Sequence, residues 1–475
     1  MHPVANIRGS LSTHLQGRKV VLAVCGSIAA VKCVELAREL IRHGADVHAV
    51  MSESATRILH PDAMHFATGN PVVTRLSGAV EHVGWLGAVP DRADLLLVAP
   101  ATANTVSKMA LGIDDGPVTT CATVAFGGGT PVLVAPAMHE VMLDHPVVAD
   151  HVRTLRDRLG VAWVEPVRDE AKAKLADVEA IAEEAIHLLA TKGREPGPLA
   201  GRRCLVVSGG TAEPFDEVRV LSNRTSGLTG ILLATELYRL GADVALWQGH
   251  GTTPVPSHLE PCTVRFGTQA QLLELVAATP LEGFHQVWMP AAIGDYAPEP
   301  FAGKLASGQE GLSLRLRPLP KVVDRIRGRA PDAVLVAFKA EATEDGLEKA
   351  ARAGMKRHGA DFVVANSAAS FASPDTRALL VAAKGATWLE GRKADVLREV
   401  VAIVTEATDT APAGRTRKPA ARPAGLRAAA AKADAGPAPA AGTPAPAADA
   451  GDGPGSASSA RRWGAWRKPK ARRGT

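Results

Sequence analysis

The sequence predicts an α/β chain with two doubly wound, mainly parallel sheets in tandem and a disordered tail. Three observations lead there. Apolar strand-like runs alternate with amphipathic helix-like runs over most of the chain, the order that builds βαβ units. Runs such as KVVLAVC and DLLLVAPAT are continuously apolar, which fits strands covered by helices on both faces. The pattern pauses at GREPGPLAGRR (193–203), rich in Gly, Pro and Arg, and then restarts. A chain of 475 residues also exceeds what one hydrophobic core normally holds. The expected organisation is a flexible N-terminus (1–17), a first domain (18–192), a linker (193–203), a second domain (204–408) and a disordered tail (409–475).

The elements follow in order. KVVLAVCGS (19–27) is a strand closed by Gly-Ser, and AAVKCVELARELIRHG is a helix with apolar residues at spacings of three and four, stopped by Gly44. ADVHAVMS, DLLLVAPAT (94–102) and PVLVAPAM (131–138) are the next strands. After the linker, CLVVSGGT is a strand and turn, and LTGILLATELYRLG is a helix ending at Gly241. ADVALWQG, QVWMPAAIGDY, AVLVAFKAE and DFVVANS are strands. The joints RHGADVHAV and RLGADVALW repeat one device in both halves, as Rossmann-like folds do.

Composition narrows the function. No run of about 18 uncharged apolar residues suggests a membrane span, and the first residues lack the apolar core of a signal peptide. The five cysteines (25, 33, 121, 204, 262) form no C-x-x-C pair, and an odd count argues against a disulfide framework. A cytoplasmic, reduced protein is expected. Residues 409–475 hold 13 Lys/Arg and 4 Asp/Glu, whereas residues 1–408 hold 41 and 45, so the body is mildly acidic. The tail has few large aliphatic residues to bury and is expected to be disordered. Such a tail can touch nucleic acid or an acidic membrane; the plainer reading is a solubilising extension, and no other nucleic-acid contact is expected.

Residues able to do chemistry gather at strand ends. Gly26 and Ser27 close the first strand at a helix start, where N–H groups and a hydroxyl make an anion site. Thr102, Asn104 and Thr105 crowd a second helix start, and an N-cap explains only one of them. VAPAMHEVM repeats the device further on, and two such ends facing one crevice is how doubly wound folds bind cofactors. In the second half, SGGTAEPFDEVR and SNRTSG set Gly209, Gly210, Thr211, Asn223, Ser226 and Gly227 behind one strand. That density of backbone N–H groups and hydroxyls, with a carboxamide and an arginine, suits a phosphate-bearing ligand.

In this order and spacing, GSIAAVK, the EHVGW histidine, APATANT with its lysine, and PAMHEVM resemble the homo-oligomeric flavin-containing cysteine decarboxylases over residues 18–190. They are similar, more narrowly, to the phosphopantothenoylcysteine decarboxylase half of the bifunctional coenzyme A biosynthesis proteins. The resemblance implies FMN bound by Gly26, Ser27, Ile28, Ser52, Thr102, Ala103, Asn104 and Thr105, with His82 as the catalytic base beside it. In that chemistry the flavin oxidises the cysteinyl thiol carbon, the thioaldehyde is the electron sink for loss of CO2, and the same flavin reduces the enethiolate. His139 stands where bacterial members have Asn, and no cysteine occurs between residues 122 and 203, where they carry a catalytic-Cys loop. VEPVRDEAKAKLAD (164–177) resembles the archaeal-type form; Glu170 is the candidate acid in place of the thiol, with Lys172 or Lys174 on a substrate carboxylate or phosphate.

The second half resembles phosphopantothenate–cysteine ligase over about residues 200–405, through VSGGTAEPFDEVRVLSNRTSGLTG, PAAIGDYAP (290–298), AGKLAS, VAFKAE (336–341) and DFVVANS (361–367). This implies that 4′-phosphopantothenate reacts with CTP to an acyl-cytidylate, which cysteine attacks as CMP leaves, with Mg2+ bridging the triphosphate. Gly209, Gly210, Thr211, Ser226 and Gly227 would cradle phosphate; Asn223 would hydrogen-bond the reacting acyl group; Lys304 would bring a mobile positive charge. Met289, Pro290, Ala291 and Asp295 would contact base or ribose, with Phe338 packed on it. Pro320, Lys321, Val322 and Val323 match a stretch whose second residue is Asp in the family, and Gly354 and His358 stand where it has two lysines. The family implies a homo-oligomer, with flavin sites between subunits of a trimer and ligase halves paired into a dodecamer-like assembly. Two other readings stay open: a ligase with a non-catalytic flavoprotein half, and a non-catalytic nucleotide-binding protein acting through its tail. CTP and ATP are not told apart by residue identity.

Overall fold

The computed structural model describes residues 2–299, 301–306, 308, 311–367 and 373–409. The tail from 410 onward, expected to be disordered, lies outside the described residues.

The first sheet draws on strands β1 (Lys19–Val24), β2 (Asp46–Met51), β3 (Leu95–Ala101), β4 (Val132–Pro136) and, beyond the short β5 (Met138–His139), β6 (Ala162–Trp163). Its order is β2-β1-β3-β4-β6, all parallel. The helices are α1 (Cys33–Arg42), α2 (Glu53–Thr56), α3 (Pro61–Thr68), α4 (Glu81–Leu86), α5 (Ala103–Leu111), α6 (Pro117–Gly128), α7 (Glu140–Leu143), α8 (Pro146–Arg153) and α9 (Val178–Lys192). Alternation along β1 sends Val20, Leu22 and Val24 into the core with α1 and α9, and Val21, Ala23 and Cys25 into the core with α5 and α6. This explains why every residue from 20 to 24 is apolar: neither face meets water. Outside the sheet, β7 (Val167–Asp169) and β8 (Lys172–Lys174) form a hairpin that pairs with β5.

The second sheet contains β9 (Arg203–Ser208). The hairpin β10 (Ala212–Pro214) and β11 (Val220–Ser222) stands outside it, and β12 (Asp243–Gln248), β13 (Thr263–Arg265) and β14 (Gln286–Met289) rejoin it. A second outlying hairpin, β15 (Tyr296–Pro298) and β16 (Leu316–Pro318), precedes β17 (Val334–Glu341), β18 (Phe362–Ser367), β19 (Asp375–Ala382) and β20 (Ala386–Arg392). The order is β13-β12-β9-β14-β17-β18-β19-β20, parallel except for β19, which runs antiparallel to both of its neighbours. Its helices are α10 (Leu228–Arg239), α11 (Gln269–Ala278), α12 (Val322–Arg329), α13 (Leu347–His358) and α14 (Lys393–Asp409). In both sheets the direction of winding reverses beside the first strand, between β1 and β3 and between β9 and β14, the crevice where doubly wound folds hold ligands.

One expectation needs correction. The N-terminal segment is not free: Leu15 is fully buried, and Gly9, Leu11 and Leu15 donate backbone hydrogen bonds to Ile41, Arg42 and His43. The close approach needs Gly44, whose φ is 105° and whose Cβ would meet the Gln16 nitrogen at 2.8 Å. The linker is pinned as well. The Arg194 guanidinium donates to Pro90 O, Arg92 O and Asp94 Oδ1 at 2.9 to 3.1 Å.

The domains meet along α9 and α10. Arg239 Nε donates to Glu183 Oε2 at 2.8 Å, the Tyr238 hydroxyl to Glu184 Oε1 at 2.7 Å, and His187 stacks on Tyr238 with centroids 3.8 Å apart. His14, from the N-terminal segment, donates to Glu236 at 3.0 Å. His258 lies in this seam near Thr235, Tyr238, Glu183, Arg239 and His187. Burial holds its imidazole down to about 4, against the pull of Glu183. An unfolded imidazole titrates near 6.5, so between these values the unfolded chain binds more protons. Stability must therefore fall as pH drops through this window. In urea titrations at about pH 7 and about pH 5, wild type should lose more stability than His258→Gln; equal losses would refute the assignment.

Candidate active sites in the two domains

The larger cavity, about 1320 Å³, opens at the switch point of the first sheet. Gly26 and Ser27 reach it from the end of β1, Ser52 and Ser54 from the end of β2, and Thr102 to Thr105 from the end of β3. Each turn is held open by its own hydroxyl. Ser27 accepts from Ala29 N–H, Ser52 from Ala55 N–H at 3.2 Å, and Thr102 from Thr105 N–H at 3.3 Å. Gly26 is required by packing, since a Cβ there would stand 2.4 Å from Ser54 Cβ. Met138 and Met142 give the cavity an apolar wall. Hydroxyls and helix starts at one end suit an anion; the methionines suit a flat apolar group. Ile28 takes no part in the lining, and its side chain is 78% exposed. Burial pushes the neighbouring Cys25 thiol up to about 11, although Thr105 and Thr102 pull the other way, so it packs as a neutral group.

His82 lies on α4 and does not line this cavity within one chain. Its Nδ1 is buried with no hydrogen-bond partner among the described residues. The residue before α4, Val80, has φ 56°, a left-handed conformation that a β-branched side chain rarely adopts. Strain of this kind next to a candidate base fits the tendency of strained backbone to cluster at functional sites.

Glu170 and Ala171 form the two-residue turn of the β7–β8 hairpin with φ of 50° and 58°. The hairpin abuts the cavity wall through Met138, which pairs with Ala173. The Glu170 carboxylate points to Lys174 at 3.0 Å, and that hydrogen bond holds it below the usual carboxylate range. Within one chain Glu170 is the partner of Lys174 and does not line the cavity. Sequence reasoning missed Arg168, which spans Glu140 and Asp144 at 2.7 to 3.0 Å and ties the hairpin to α7.

In the second domain three turns converge. Gly210 N–H donates to His250 O, and Ala292 N–H to Gly209 O, both at 2.7 Å. The buried Thr211 hydroxyl accepts from Gly294 N–H at 3.0 Å. Asn223 Nδ2 donates to Ile293 O at 3.2 Å, so its carboxamide already rests on the Pro290–Asp295 turn. Ser226 accepts from Leu228 N–H, and Gly227 caps α10 at φ 76°. Asp295 and Lys321 form an ion pair, so the Asp-to-Lys departure is answered by an acid across the gap. Gln269, which sequence reasoning also missed, positions both loops: its buried amide donates to Gly294 O at 3.3 Å and Pro320 O at 3.0 Å. Phe338 follows Ala337, the β17 partner of Met289, beside the same turn. Val322 is buried and offers only its backbone. Lys304 is exposed on the loop against residues 215–219, where Leu305 N–H donates to Asp216 at 3.2 Å. His358 is engaged elsewhere, with Asp324 at 2.7 Å.

Residues 8–190 match the Flavoprotein family, and residues 199–407 the DNA/pantothenate metabolism flavoprotein C-terminal domain. The chain is 46% identical over 386 residues to the coenzyme A biosynthesis bifunctional protein CoaBC of Thermococcus kodakarensis, covering 80% of this chain and 93% of that one. It belongs to the coenzyme A biosynthesis bifunctional proteins. As a member it is an enzyme that joins a ligase to an FMN-dependent decarboxylase. The Methanocaldococcus jannaschii protein of the same name is 34% identical over 77% of this chain and 87% of its own. Among solved structures, the FMN-dependent cysteine decarboxylase SpaF aligns over 36% of this chain and 99% of its own, at 29% identity and a TM-score of 0.31. No helix of the described residues is long and apolar enough to cross a membrane.

Proposed function

We propose that the second domain couples 4′-phosphopantothenate to cysteine at the expense of CTP, and that the first decarboxylates the product to 4′-phosphopantetheine. The observation that carries this reading is Asn223, whose carboxamide is held between the glycine turn and the Pro290–Asp295 turn at the switch point. A carboxylate must be tied to phosphorus before an amine can displace it, and catalysis of that step is positioning and charge neutralisation. Backbone N–H groups of Gly209, Thr211 and Ser226 take the phosphates, since the Gly210 N–H is donated to His250 O and the Gly227 N–H to Thr225 Oγ1. Asn223 donates to the acyl oxygen as charge gathers on it, and the exposed Lys304 swings onto the triphosphate. Met289, Pro290, Ala291 and Asp295 hold base or ribose against Phe338, and Lys321 steadies Asp295. Mg2+, carried in with the triphosphate, would neutralise part of its charge. Cysteine then displaces CMP.

In the first domain, Gly26, Ser27, Ser52 and Thr102 to Thr105, which line the cavity, would hold FMN. Bound there, FMN supplies reversible oxidation of the carbon beside the substrate sulfur. His82 takes the proton, and Lys172 or Lys174 meets the substrate's anionic groups. Because His82 lies off the cavity of its own chain, a second copy completes the site. The exposed Ile28, Val31, Val141 and Met142 around the cavity are the surface that copy would cover. The homo-oligomer works in the cytoplasm.

The test is direct. FMN-loaded protein should convert 4′-phosphopantothenate, cysteine and CTP to 4′-phosphopantetheine, releasing pyrophosphate and CO2, and ATP should support the ligation at least about ten-fold less well. Amide formation without CO2 release would leave the second reading, a ligase with a silent flavoprotein half, which the Glu170–Lys174 pair favours. No amide with either nucleotide would overturn the proposal.

A further inference from the structure

One polar side chain of the second domain has its chemistry unspent. Gln248 ends β12. Along that strand Val244 and Leu246 enter the core under α10, while Ala245 and Trp247 enter the opposite core. Alternation places Gln248 on the α10 face as well. The first two positions of this stripe are apolar, as burial demands, and the third is a carboxamide at the helix start. A Cβ on Gly227, the residue that caps α10, would stand 2.7 Å from Gln248 Nε2, so the amide lies against the opening of the helix. The same Cβ would be 3.7 Å from Gly209 Cα, in the glycine turn at the end of β9.

Gln248 is only 6% exposed. Its Nε2 has one long contact, to Gly249 O at 3.4 Å, and its Oε1 is buried with no partner among the described residues. A buried acceptor left unpaired destabilises the ligand-free fold, and a leucine of similar bulk would not carry that penalty. The helix it faces has twelve residues and no side-chain cap at Gly227. An unpaired buried acceptor and the start of a helix capped only through Ser226 therefore lie side by side at the end of β12.

We infer that Gln248 is a ligand-reading residue of the ligase site, its Oε1 accepting a hydrogen bond from a hydroxyl of the bound molecule. This rests on the ligase reading above. In doubly wound nucleotide-binding sheets, the end of the strand beside the first one is where a side chain accepts a ribose hydroxyl, about 20 residues past the glycine-rich helix start. β12 pairs with β9 and occupies that place. A carboxamide keeps the acceptor and omits the negative charge of the usual Asp or Glu, which would repel phosphates gathered on the same helix start. The hydroxyl belongs to the nucleotide's ribose or to the acid substrate, and the two are separable by experiment.

Thermal unfolding of the full chain tests this, comparing wild type with Gln248→Leu, alone and with CTP, 2′,3′-dideoxy-CTP or 4′-phosphopantothenate. The ligand-free variant should be at least as stable as wild type. CTP should stabilise wild type more than the dideoxy nucleotide does, and the variant equally with both. In ligation the variant's KM for CTP should rise about ten-fold, with a smaller change in kcat. A loss confined to 4′-phosphopantothenate assigns the hydroxyl to the acid and upholds the acceptor role. A less stable ligand-free variant with undiminished ligand shifts overturns it, because the carboxamide is then structural. Should the leucine variant fail to fold, Gln248→Glu decides: the inference expects a diminished shift with CTP or with 4′-phosphopantothenate, and undiminished shifts with both overturn it. No ligand shift and no ligation in wild type would sink the ligase reading itself, whereas wild-type shifts that both variants reproduce sink this inference alone.

Discussion

His82→Asn should slow CO2 release from supplied phosphopantothenoylcysteine by about a thousand-fold, within the range lost when a positioned acid–base group is removed. Flavin binding and ligation should persist. The expectation rests on three facts. The imidazole Nδ1 is buried without a partner among the described residues, so structural hydrogen bonding within them does not account for it. The helix that carries it starts from a left-handed valine, a conformation with an energetic cost. Glu81 fixes that helix start, its carboxylate accepting from Ser77 N–H at 3.1 Å. Asparagine nearly matches the ring in size and keeps polar atoms near Nδ1, so a large loss cannot be attributed to a collapsed cavity. The measurement is single-turnover CO2 release from FMN-loaded protein, with the flavin absorbance as occupancy control. Release within about three-fold of wild type would mean that another group takes the proton.

Much of this was legible in the sequence because the decisive features are local. A continuous apolar run means a strand covered on both faces, and Val20 to Val24 are buried accordingly. A glycine followed by hydroxyl residues behind such a run marks an open helix start, and Ser27, Ser52 and Thr102 each accept from a nearby N–H. What escaped depends on the folded chain. Gln248 and Gln269 look like ordinary polar residues at a strand end and a helix start; only the sheet order sets one under α10 and the other between two loops. The turn at Glu170 and Ala171 lacks the Asn-Gly or Asp-Gly signature of left-handed turns, so the hairpin left no local trace. The N-terminal segment has no periodicity, yet Leu15 is buried because the α1–β2 corner leaves a place for it. Glu183 and Arg239 read as solvated helix charges until α9 and α10 are brought together. Removing Arg239 would strand a buried carboxylate, which is why such a pair is costly to break whatever its net worth.

Asn223→Ala should lower ligase kcat/KM by about a hundred-fold or more, the usual loss for one donor aimed at a developing oxyanion. Decarboxylation of supplied substrate and the unfolding midpoint should hardly change. Asn223 is exposed, so stability gives little reason for a carboxamide here. Its Nδ2 already donates to Ile293 O, which orients the amide before any ligand arrives. That donor can transfer to an incoming acyl oxygen only if the acid lies between the glycine turn and the Pro290–Asp295 turn. Asn223→Asp sharpens the test. A carboxylate facing the Ile293 carbonyl loses the hydrogen bond and repels the triphosphate, so the aspartate variant should fall at least as far as alanine. Pyrophosphate release in a single turnover then separates the steps. If Asn223 serves acyl activation, the burst is lost together with amide formation; if the burst survives and only amide formation fails, Asn223 acts on the attack of cysteine. Normal rates for both variants would remove Asn223 from the chemistry and, with it, the observation on which the proposed ligase geometry stands.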